Sequence, residues 1–74
     1  MKPRYYLYRM GNLVQLDYLC LDDLKQYQGY YCLDMGHDLQ SPTWGMILGG
    51  NIQEVKPDNF PTAFKAHLLI LDVP

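Results

Sequence analysis

The sequence predicts an α+β fold that is mainly β. It comprises about five antiparallel strands in a small twisted sheet or partly closed barrel, with one or two short helices. Three observations lead there. Glycine-bearing turns, Gly11-Asn12 and Gly49-Gly50-Asn51, separate strand-like runs. Such tight turns join antiparallel neighbours and leave no room for the long crossovers that parallel pairing needs. The composition is 49% hydrophobic and 14% aromatic but only 19% charged, which is a core-forming mixture rather than a disordered one. A chain of 74 residues supports one core, so residues 1–74 are expected to form a single small globular domain.

The first hairpin is the clearest element. Arg4 to Met10 is tyrosine-rich, and Leu13 to Leu19 is aliphatic. A turn at Gly11-Asn12 would set Leu7 opposite Leu16. It would place Tyr5, Leu7, Val14, Leu16 and Tyr18 on a core face. Arg4, Tyr6, Tyr8, Met10, Leu13, Gln15, Asp17 and Leu19 would then share the second face, taken to be exposed. Alternation fixes this parity, because side chains of successive strand residues point to opposite faces.

Residues 21–28 read as a short helix. Asp22 and Asp23 suit its N-terminus, where the helix dipole favours acids, and Gly29 suits its end. Leu21, Leu24 and Tyr27 mark its apolar side. Two turns are unstable alone, so the helix must dock on the sheet. Tyr30 to Met35 is a third strand, followed by a loop from Gly36 to Pro42. Thr43 to Leu48 and Ile52 to Val55 form a second hairpin. Lys56 to Pro61 is a turn. Ala63 to Val73 alternates as a strand would, with a helix over Asn59 to His67 as the competing assignment.

Charge limits the function classes. Six Lys and Arg stand against eight Asp and Glu, a net charge of −2. Nucleic-acid binders need a basic face to displace counterions from phosphate. Here only Lys2, Arg4 and Arg9 cluster, so direct nucleic-acid contact is the weaker expectation. The longest apolar run, Leu68 to Leu71, is far short of a membrane span, and no leader-like apolar run follows Met1. A cytoplasmic protein with free thiols at Cys20 and Cys32 is expected.

Candidate chemistry is sparse. Cys20, Cys32, His37 and His67 lack the close ligand pairs of structural zinc sites. Cys32, His37 and Asp38 have the residue types of a nucleophilic site, but two adjacent loop residues rarely converge on one thiol, and no oxyanion-hole motif accompanies them. Asp22-Asp23 reads as helix capping. Asp17, Asp34 and Asp72 fall at strand positions and could converge on a sheet edge, but nothing in their spacing shows that. The glycines of Trp44 to Gly50 match no phosphate-binding loop. The sequence therefore points away from an enzyme, and it names no cofactor and no metal.

Seven tyrosines in 74 residues are the residual oddity. Tyrosine fills sheet faces, serves protein interfaces, or stacks on bases. Stacking on bases needs a basic surround that this chain lacks. Arg4, Tyr6, Tyr8 and Met10 are accordingly the expected partner-binding residues. The competing reading has Leu21, Leu24 and Tyr27 packing over that face and turning it into a second core. The expected function is a small protein–protein interaction module that binds and modulates, in the inhibiting direction, a larger protein or complex. A second copy of the chain is another protein partner to consider. Size and acidity match phage or mobile-element proteins acting on a host machine such as RNA polymerase or a nuclease complex. The alternative is a weak nucleic-acid-binding regulator using the basic, tyrosine-rich N-terminal strand.

Overall fold

A computed structural model describes every residue except Met1, Asp38, Leu39, Asp72 and Pro74. The elements run β1 (Tyr5–Arg9), β2 (Asn12–Leu16), α1 (Leu21–Gln26), β3 (Tyr31–Asp34), β4 (Thr43–Leu48), β5 (Asn51–Glu54), a 3-10 turn (Pro57–Asn59) and α2 (Thr62–Ile70). The five strands form one sheet in the order β2-β1-β3-β4-β5. Every neighbouring pair is antiparallel. β2 and β5 are open edges, so the sheet is not a closed barrel.

The first hairpin turns one residue earlier than expected. Its loop is Met10-Gly11, with φ of 48° and 87°. Both residues are left-handed, as a type I′ turn requires. Asn12 instead starts β2, and its Nδ2 donates to Tyr30 Oη at 2.6 Å. Leu7 consequently pairs with Val14, not Leu16. Moving the turn by one residue shifts the pairing by two, so the faces survive. Tyr5, Leu7, Val14 and Leu16 share one face; Tyr6, Tyr8, Leu13 and Gln15 share the other.

The chain crosses from β2 to β3 through α1, which is shorter than its expected span. The carboxylate of Asp23 accepts hydrogen bonds from the Cys20 backbone N–H at 3.0 Å and from its Sγ at 3.1 Å. Those two bonds hold the Asp23 carboxyl below its usual range. Cys20 therefore caps α1. Beyond α1, Gln28 donates to Leu24 O at 2.7 Å and accepts from Gly49 N–H at 2.9 Å, tying the helix to the second hairpin. That hairpin turns at Gly49-Gly50 and pairs Ile47 with Ile52. At Gly45 the strands approach closely. A Cβ there would lie 2.7 Å from Ile52 Cγ2 and 2.8 Å from Gln53 O.

The C-terminal segment is a helix, which corrects the strand expected over Ala63 to Val73. Alternation and helical spacing both fit Phe64 and Leu68. The helix wins because Phe64 and Leu68, four residues apart on α2, then reach one apolar sheet face together, joined there by Phe60 from the preceding turn. Pro61 fits its start, because a missing N–H costs nothing there.

The result is helix, sheet, helix. Against α1 lie Leu7, Cys32 and Ile47, with Leu19, Leu24 and Tyr27 packed on them. Against α2 lie Tyr6, Tyr8 and Leu33, with Phe60, Phe64, Leu68 and Val73. No helix among the described residues is long and apolar enough to cross a membrane.

Candidate binding surface

The residues nominated by the sequence do not share an exposed face. Tyr6 and Tyr8 retain only 3% and 6% of their surface. The Phe64 ring stacks on Tyr8 at 5.1 Å and 9°, and His67 lies 5.8 Å from the same ring. The tyrosine-rich face is thus a second core, as in the competing reading, but α2 covers it and α1 does not. Met10 is 91% exposed in the turn. Arg4 is half-buried and structural: Nε meets Asp34 Oδ1 at 2.9 Å and Nη2 meets Oδ2 at 3.3 Å. Burial pushes the Asp34 carboxyl up, but the Arg4 and Gly36 hydrogen bonds outweigh it and hold the group below its usual range. The pair ties the start of β1 to the end of β3.

The nucleophile and metal candidates disperse. Burial pushes the Cys32 thiol up to about 12, which leaves almost no thiolate near neutrality. Cys20 is exposed at the head of α1, and both thiols are free. Asp38 and Asp72 lie outside the described residues. Asp17 is exposed. Among the described residues, no three His, Cys, Asp or Glu side chains gather where a metal could sit.

A different region has the shape of a binding surface. The aromatic core runs from Phe64 to Phe60 (5.5 Å) and from Phe60 to Trp44 (4.8 Å, edge-on). Trp44 is therefore anchored on its inner side while remaining half-exposed. Two shallow cavities share it as a wall. One, of about 230 Å³, is lined by Trp44, Lys65, Leu68, Leu69 and Val73. The other, of about 280 Å³, includes Pro42, Trp44, Glu54, Lys56 and Pro57. Beside them, Leu69 and Ile70 on the outer side of α2 are 78% and 80% exposed.

Sequence reasoning missed this seam, although one signal was present. Leu68-Leu69-Ile70-Leu71 are four consecutive apolar residues. On a helix they sweep about 300° at 100° per residue, so they cannot all face one core. The strand assignment concealed that consequence. Compared with known protein families, curated proteins and solved structures, the chain matches none.

Proposed function

We propose that the protein is a small protein-binding module that docks on a larger protein or complex through the seam between α2 and β4, and modulates it. The supporting observation is the pair Leu69 and Ile70, standing in solvent on a helix whose opposite side is committed to the core. Large apolar side chains left exposed beside a concave aromatic wall are what interfaces use. Such a module acts by occupying a surface, which favours inhibition. A host machine such as RNA polymerase or a nuclease complex, met by a phage or mobile-element protein, remains the partner type that size and acidity suggest. The rival nucleic-acid reading loses its stacking platform, since Tyr6 and Tyr8 face α2.

The test is affinity capture from the native host with the wild type and Leu69→Asp in parallel, each with a melting curve. One stoichiometric partner held by the wild type and lost by an equally stable variant is the expected result. Equal capture by both would move the binding surface elsewhere.

A further inference from the structure

We infer that the segment this seam accepts is an acidic, apolar peptide stretch of another protein: a large apolar side chain seated beside Trp44, flanked by carboxylates that meet Lys65 and Lys56. The inference rests on reading the seam as a binding surface and adds the chemistry of its occupant. Among the described residues, apolar side chains line the smaller cavity except for Lys65. Lys56 lines the larger one, where Glu54 is the single acid among the described residues. Among the described residues that line the seam, two lysines stand against one carboxylate, on a chain of net charge −2. Neither Lys56 nor Lys65 is ion-paired with another described residue. An occupant bringing apolar surface alone would leave Lys65 partly desolvated without a counter-charge, which costs binding energy. One bringing cations would meet like charge. An acidic flank satisfies both lysines and steers the encounter. The two cavities on either side of one indole suit a segment that places an anchor in each.

The experiment selects a displayed library of random short peptides on the immobilised full chain. It is repeated on Leu69→Asp, on Lys65→Glu, and on Lys56→Glu. Each variant is melted first; Lys56 is exposed, so Lys56→Glu keeps the charge arm readable if Lys65→Glu unfolds. Emission of Trp44, the sole tryptophan, then reports binding of the best synthetic peptide. The expected result is enrichment of peptides with an apolar anchor and excess Asp and Glu. Leu69→Asp should lose them, and the lysine variants should bind them about tenfold more weakly and turn the preference toward Lys and Arg. Peptides without acidic excess, or a charge preference unmoved by either lysine variant, would overturn the acidic occupant while the surface stood. Binding indifferent to Leu69→Asp would remove the surface too, as would no enrichment at all. Light scattering that shows a concentration-dependent dimer abolished by Leu69→Asp would assign the seam to a second copy. Saturable, salt-sensitive quenching of Trp44 by a single-stranded oligonucleotide, with no peptide enriched, would assign it to nucleic acid.

Discussion

The two faces of the sheet are built on different scales. The α2 face buries Tyr6, Tyr8, Leu33, Phe60, Phe64, Leu68 and Val73, linked by stacked and edge-on rings. Among the described residues, the hydrophobic side chains buried on the α1 face are Leu7, Cys32 and Ile47, and α1 itself contributes none. Helix length explains part of the difference, since six residues cover less sheet than nine. Side-chain size explains more, because aromatic residues bury the largest areas per residue. A small sheet with both faces apolar thus has one deep core and one thin one. Both helices leave apolar side chains outside, Leu21 on α1 and the adjacent pair Leu69 and Ile70 on α2.

Substitutions should expose that asymmetry. Phe64→Ala removes a fully buried ring from the deep core and should cost about 3–5 kcal/mol. A domain of this size commands roughly 3–5 kcal/mol in all, so no cooperative melt should remain. A normal melt for Phe64→Ala would break the comparison. Leu24→Ala, half-buried on the thin side, should cost only about 1–2 kcal/mol, below the ~2–5 kcal/mol of fully buried leucines. Urea titrations rank the two: a lowered midpoint for Leu24→Ala, and no cooperative transition for Phe64→Ala. The smallest effect should come from Asp34→Asn, which loosens the Arg4 tie at the sheet end. The Asp34 carboxyl is held below its ordinary 3.8, so its contribution is present above that value and lost as pH falls through the folded-state value. Melting temperatures of wild type and Asp34→Asn should differ near neutrality and converge in acid. A gap that persists at low pH would mean the pair contributes through packing instead.

How far the sequence revealed this depended on what parity could decide. Alternation separated Leu7 from Tyr6 and Tyr8, and that separation holds even though the turn sits at Met10-Gly11. The turn's location was hidden because both candidate dipeptides contain Gly11, and a methionine in the left-handed region is a poor sequence-level guess. Parity could not decide the C-terminal segment, where Phe64 and Leu68 suit a strand and a helix equally well. What settles it is a tertiary fact: a tyrosine-bearing face needing a cover. The partner-binding set inherited that error. Tyr6 and Tyr8 were read as exposed because nothing in the local pattern supplied the helix that packs on them. The seam around Trp44 joins β4 to α2 and exists only once the chain has folded.

The central claim is that α2 closes over the tyrosines and leaves its own leucine and isoleucine outside. Parallel chemical melts of Tyr6→Ala and Leu69→Asp test it most directly. Tyr6→Ala is expected to lose at least about 2 kcal/mol, as a truncated core aromatic does. Leu69→Asp, a charge on an exposed helix position, should stay within about 0.5 kcal/mol of the wild type. The opposite ranking, with Tyr6→Ala benign and Leu69→Asp unfolding the chain, would contradict the placement of α2 and the binding surface built on it.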